Sequence, residues 1–68
     1  MFTEIVIAIL LWLGCIESPG SYSATTIGAY QYQHQSFINY VQTDSILSAT
    51  IWQQHGSAVE EVKIIQPL

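Results

Sequence analysis

The pattern of apolar and polar positions divides the chain sharply in two. Ile5 to Ile16 run Ile-Val-Ile-Ala-Ile-Leu-Leu-Trp-Leu-Gly-Cys-Ile without a charge. A helix with no polar face must be covered on every side, by protein or by lipid. Twelve helical residues span about 18 Å at ~1.5 Å per residue. The hydrocarbon core of a bilayer takes roughly 20 residues. Glu4 bounds the run on one side, and Glu17, Pro19 and Gly20 bound it on the other. Proline disfavours helical geometry in the residue before it, here Ser18. The length matches the apolar part of an export signal, ~7–15 residues. Ser21 and Ser23 suit cleavage before Ala24, and Ser18 and Gly20 suit cleavage before Ser21. Met-Phe-Thr-Glu lacks the Lys or Arg that precedes the apolar part of such signals. The pattern therefore predicts a short or tilted membrane segment, with Ile5, Ile7, Leu10, Leu11, Trp12, Leu13 and Ile16 in the bilayer. A cleavable signal is one alternative, and a buried helix or strand of a soluble domain is the other.

Past the run the pattern changes. Glu17 to Ser23 (Glu-Ser-Pro-Gly-Ser-Tyr-Ser) carries a Pro-Gly turn signal and small polar residues. The polar-aromatic stretch that follows holds glutamines at 31, 33, 35, 42, 53 and 54. Two periodicities compete there. Read as helix, Ile27, Tyr30, His34, Phe37 and Val41 step by 3, 4, 3 and 4 and form one seam. Ser23 or Thr25 caps its start. Thr43 or Asp44 caps a second helix, with Leu47 and Ile51 on one face and Gly56 as its stop. Read as strand, Tyr30 to Gln35 alternates with period two. Turn-like groups at Thr43-Asp44-Ser45 and His55-Gly56-Ser57 then separate β-branched runs. The helical seam covers more residues and is preferred. Val62-Lys63-Ile64-Ile65 is β-prone and ended by Pro67, so it must pair with something or stay flexible.

The expected fold is thus mainly α. A short N-terminal hydrophobic membrane or signal helix is followed by one or two amphipathic helices and a short C-terminal extended segment. The alternative is a signal segment plus a small β-meander. The segments are residues 1–17 as anchor or signal, 18–23 as linker, 24–56 as interaction segment and 57–68 as extended tail.

Composition narrows the function classes. Sixty-eight residues permit one domain. If the first part leaves or enters lipid, about 44 residues remain, near the size that needs disulfides, a metal or a partner. One cysteine allows no internal disulfide. A protein partner or self-assembly is the expected support. Lys63 is the only basic residue and the net charge is −4. Such a chain lacks the positive surface that neutralises nucleic-acid phosphates or holds anionic lipid. No Lys or Arg flanks the run to orient it. By analogy with signal-anchors, the C-terminal part is placed outside the cytoplasm, or secreted if the signal is cleaved. The paired acids Glu60 and Glu61 read as a solvated face.

Little here suggests chemistry. His34 and His55 stand far apart without zinc-ligand spacing. Cys15 lies in an apolar run, which raises a thiol pKa and suppresses thiolate. Leu13-Gly14-Cys15 resembles the end of a bacterial lipobox, which would make Cys15 an acylation site. Trp12 stands where that motif carries a small aliphatic residue, and a basic leader is missing. No Gly-x-Ser-x-Gly turn and no phosphate loop occurs. No catalytic, cofactor-binding or metal residue is therefore assigned, and no cofactor is expected. Tyr30, Phe37, Val41 and Trp52 are the expected partner contacts, since aromatic side chains supply rigid contact area.

Phe2-Thr3-Glu4-Ile5, the apolar run, and Ala29-Tyr30-Gln31-Tyr32 resemble in order the N-terminal segment of type IV pilin-like proteins. That family begins with Phe-Thr, carries an early glutamate in an apolar helix and continues into an Ala-Tyr-Gln stretch. The resemblance covers residues 2–32 at most. The family's glutamate falls two positions beyond Glu4, and the Glu17–Ser23 break interrupts the run. It implies a filament subunit. The function expected overall is a small, non-enzymatic, membrane-anchored accessory or structural subunit of a larger assembly. A secreted small protein and a pilin-like filament subunit are the alternatives.

Overall fold

The apolar run folds as a helix at the centre of the protein. The computed structural model describes residues 3–66, and its first helix, α1, covers Glu4–Leu13. Val6, Ile7, Ala8, Ile9, Leu10 and Leu11 are all buried. Six successive positions exceed one ~3.6-residue turn, so protein covers α1 all round. Ile and Val are only moderate helix formers, and burial rather than propensity holds this helix. Gly14 ends it at φ +80°. Its N–H donates to the Leu11 carbonyl at 3.1 Å, and the Cys15 N–H donates to Leu10 at 3.0 Å. This pair of bonds is the Schellman arrangement, which satisfies carbonyls that the helix end leaves open.

Three further helices follow α1. They are α2 (Ala24–Gln33), α3 (Gln35–Thr43) and α4 (Ser45–His55), followed by a 3-10 segment at Gly56–Glu61. Ser23 caps α2, its hydroxyl oxygen accepting from the Thr26 N–H at 3.1 Å. Asp44 caps α4, its Oδ1 accepting from the N–H groups of Ile46 at 3.1 Å and Leu47 at 3.0 Å. His34 kinks the chain between α2 and α3. Helical bonding continues across it, from His34 N–H to Tyr30 at 3.1 Å and from Ile38 N–H to His34 at 2.9 Å. α1 packs against α4, α2 and the 3-10 segment. These helices add Ile27, Ile38, Val41 and Ile51 to the core, and Ile16 joins from the loop after α1.

Two short strands close the fold. β1 (Gly20–Ser23) lies parallel to β2 (Val62–Ile65), with Gly20 opposite Val62 and Ser23 opposite Ile65. A parallel pair needs a long crossover, and α2 to α4 supply it.

The architecture is mainly helical, with a two-stranded sheet. The β-meander alternative is overturned. The Tyr30–Gln35 alternation lies in helical backbone, because Ile27 and Val41 of the seam are buried by helical packing. Residues 18–23, read as a linker, carry β1, which is the pairing partner that Val62–Ile65 requires. No helix among the described residues is long and apolar enough to cross a membrane. Of the residues assigned to the bilayer, Ile7, Leu10, Leu11 and Ile16 are core side chains. Ile5 and Leu13 are half-buried against that core, and Trp12 is exposed. Pro67, read as the stop of the last strand, lies outside the described residues.

Candidate functional site

One aromatic strip on the surface joins side chains from two helices and a cap. Trp12, near the end of α1, is 38% exposed. Its ring stacks on Phe37 of α3 with centroids 5.8 Å apart and planes inclined by 3°. At that separation the parallel rings are offset, the arrangement their quadrupoles favour. Phe37 follows one helical turn before Val41, at the edge of the buried stripe of α3. Tyr40, three residues on from Phe37, shares its side of the helix and is 56% exposed. The Tyr40 hydroxyl donates to Asp44 Oδ2 at 3.3 Å. The strip therefore runs Trp12, Phe37, Tyr40, Asp44, and it ends on the carboxylate that caps α4.

The expected contact residues divide. Phe37 lies in the strip. Tyr30 is half-buried against the core. Trp52 is exposed on α4, its ring lying over Gly56, where an added Cβ would meet it at 2.8 Å. Val41 is a correction. It is fully buried, one turn along α3 from Phe37, and offers a docked partner nothing. Trp12 and Tyr40 supply the exposed surface instead. The Phe37–Tyr40–Asp44 spacing of 3 and 4 marks their side of α3, but no periodicity links Trp12 to Phe37.

The remaining candidates are scattered. Cys15 is half-buried, and burial pushes its thiol pKa up. His34 sits at the α2–α3 junction and His55 at the end of α4. Among the described residues no three His, Cys, Asp or Glu side chains gather as metal ligands, and no cavity opens. Glu60 and Glu61 are exposed at the end of the 3-10 segment. In the stretch that resembles pilin-like proteins, Phe2 lies outside the described residues and Glu4 is exposed in the first turn of α1. Ala29 to Tyr32 lie on α2. No protein-family model, curated protein or solved structure matches the chain.

Proposed function

We propose that the protein is a small, non-enzymatic accessory or structural subunit that works by docking onto another protein. The observation that carries this reading is the Trp12–Phe37–Tyr40 strip. Single exposed apolar residues are ordinary. Here two aromatic rings are stacked on each other at the surface, and Tyr40, one turn along α3 from Phe37, is exposed and hydrogen-bonded to Asp44. Rigid aromatic side chains dominate the energetics of protein interfaces. In its native host, the protein should elute above its monomer mass on size-exclusion chromatography at native abundance. The double variant Trp12→Gln/Tyr40→Gln should elute as a monomer while keeping a cooperative melt. A monomeric wild type, or a double variant that stays in the larger species, overturns the reading.

The membrane-anchored form of this reading draws on one observation, the absence of any polar face along Val6–Leu11. In that form α1 leaves the core for lipid, and α2 to α4 dock on a partner in its place. Ten helical residues reach about 15 Å, half the hydrocarbon thickness. Wild-type protein that stays in the supernatant after carbonate washing of membranes overturns the anchored form and leaves the docking reading intact.

A further inference from the structure

We propose that a second copy of this chain adds its own β2 to the free edge of β2, antiparallel and about a two-fold axis through Ile64. The sheet is unfinished on two counts. Gly20, Tyr22, Val62 and Ile64 are half-buried, while Ser21, Ser23, Lys63 and Ile65 face solvent. Parallel sheets are as a rule covered on both faces. Here the outer face is bare, and Ile65 is 60% exposed on it. The edges are the second count. An edge strand presents a row of N–H and C=O groups that its one neighbour does not use, a template for another strand. The turn before β1 folds back on that strand. The Glu17 N–H donates to the Tyr22 hydroxyl at 2.8 Å, and a Cβ on Gly20 would meet the Glu17 carbonyl at 2.7 Å. On β2 the Val62 N–H donates to Val59. Beyond it, no described backbone segment other than β1 bonds to Lys63–Ile65.

The register follows by elimination. An axis between residues would set the inward side chains of one copy against the outward ones of the other, so it passes through a residue. Through Val62 it calls on Glu61, which lies in the 3-10 segment. Through Lys63 it sets like charges directly opposite, which is destabilising. Through Ile65 it calls on Pro67, which has no N–H to donate. Through Ile64 it uses residues 62–66 alone. Ile64 then faces its own copy, and each Lys63 lies opposite Ile65 of the other chain, its methylene stem covering that exposed side chain. Charge selects the same surface. All five Asp and Glu residues lie outside 20–23 and 62–66, and Lys63 is the only cation. Two chains of −4 thus meet where neither presents a carboxylate, and each brings its cation toward the other's negative charge.

The test is sedimentation of the purified full chain. A paired edge of this size ranks among weak, transient interfaces, so the dimer should grow in reversibly from micromolar to millimolar concentration. Ile65→Lys sets a lysine opposite Lys63 of the other copy. It should weaken the dimer about tenfold, since the change enters twice. The melt at micromolar concentration should not move, because Ile65 is exposed. The variant also makes the chain less negative, so association governed by net charge alone would strengthen instead. In a Cys15→Ser background, Lys63→Cys and Ile65→Cys chains mixed in equal amounts should form the mixed disulfide in preference to either symmetric one, since directly opposite residues stand closest. Trp12→Gln/Tyr40→Gln should dimerise like the wild type. A wild type that stays monomeric at millimolar concentration overturns the second copy as occupant. A dimer that Ile65→Lys leaves intact, or a symmetric disulfide as the main product, overturns the register and the proposal with it. A dimer lost in Trp12→Gln/Tyr40→Gln overturns it too, and assigns self-contact to the aromatic strip. The docking reading stands or falls separately, on the native complex.

Discussion

α1 and α3 are nearly equal in length, at 10 and 9 residues, and they are stabilised in opposite ways. α1 buries six residues in a row, and no direction around its axis is polar. α3 buries only Ile38 and Val41, and the rest of its surface is half-buried or exposed. Neither is a stable helix alone. α1 has no face that water tolerates. α3 is shorter than the ~12–15 residues at which even good helix formers become marginal in water, and its Asn, Tyr and Thr are weak formers. Within the fold both are covered: α1 packs against α4, α2 and the 3-10 segment, while α3 packs against α4 and α2 and meets α1 at the Trp12–Phe37 stack. The difference teaches that the support expected from another molecule is already present within the chain. The two helices meet at the surface in the Trp12–Phe37 stack.

The most severe way to break that comparison is to remove α1. Residues 24–68 made alone keep Ile27, Ile38, Val41 and Ile51 but lose the other seven buried apolar side chains among the described residues. They lose β1, the partner of β2, as well. Ordering costs roughly 1.5 kcal/mol per residue, and the few side chains left to bury do not offset it. The fragment should show poor amide dispersion and no cooperative thermal transition, whereas the full chain should melt cooperatively. Cleavage after Ser23, one of the two positions that suit an export signal, should have the same result. A sharp, concentration-independent melt of the fragment would show that α2 to α4 hold themselves together.

An alanine scan sharpens the contrast at smaller cost. On α1, Ile7→Ala, Ile9→Ala and Leu10→Ala should each destabilise by about 2–5 kcal/mol, with no tolerant stripe. Total stability for a chain this size is roughly 3–10 kcal/mol, so some of these variants should be unfolded at 25 °C. On α3, Ile38→Ala should cost a similar amount. Asn39→Ala and Gln42→Ala, on its exposed side, should stay within about 0.5 kcal/mol. Urea denaturation of each variant gives the profile. A periodic profile along α1, with one cheap face, would mean that this face is uncovered, and would point toward a bilayer or a larger apolar partner.

The sequence is informative about what must be buried and poor on what does the burying. Ile5 to Ile16 announces itself as a run that leaves water, but its pattern is the same for a lipid segment and for a core helix. The caps Ser23 and Asp44 were legible because a short polar side chain before a helix acts locally. The helical character and burial of the seam are legible too, but not its break, since the chain turns at His34 and the seam spans two helices, α2 and α3, instead of one. Ile27 and Val41 are fully buried, and Tyr30, His34 and Phe37 are half-buried. Ile38 is buried with them although it lies off the seam, because the stripe of a globular helix is wider than a coiled-coil seam. Gly20 to Ser23 carries no strand signal of its own, since Gly is depleted in strands. Only β2, some forty residues later, makes it a strand. The Trp12–Phe37 stack is non-local in the same way, and Tyr40 lies off the seam, so periodicity does not single it out.

The gentlest test compares how the two kinds of helix end. α1 stops through its backbone at Gly14, whose φ of +80° is costly for any residue with a Cβ. Nothing lies within 4 Å of where that Cβ would sit. Gly14→Ala therefore tests conformation without a steric clash, and the left-handed geometry should cost about 1–2 kcal/mol. α4 starts through a side chain. Asp44→Ala leaves the Ile46 and Leu47 N–H groups without their acceptor and should cost about 1 kcal/mol, while Asp44→Asn should cost only a few tenths. Urea midpoints measured at constant slope resolve these differences. If Gly14→Ala is neutral, the chain can leave α1 by another path, and the loop that carries Cys15 and Ile16 is less fixed than the Schellman bonds imply. If Asp44→Ala is neutral while Gly14→Ala is not, the start of α4 is held by packing of Leu47 and Ile51 on α1 rather than by its cap. That outcome would extend the role of α1 from filling the core to setting where its neighbours begin.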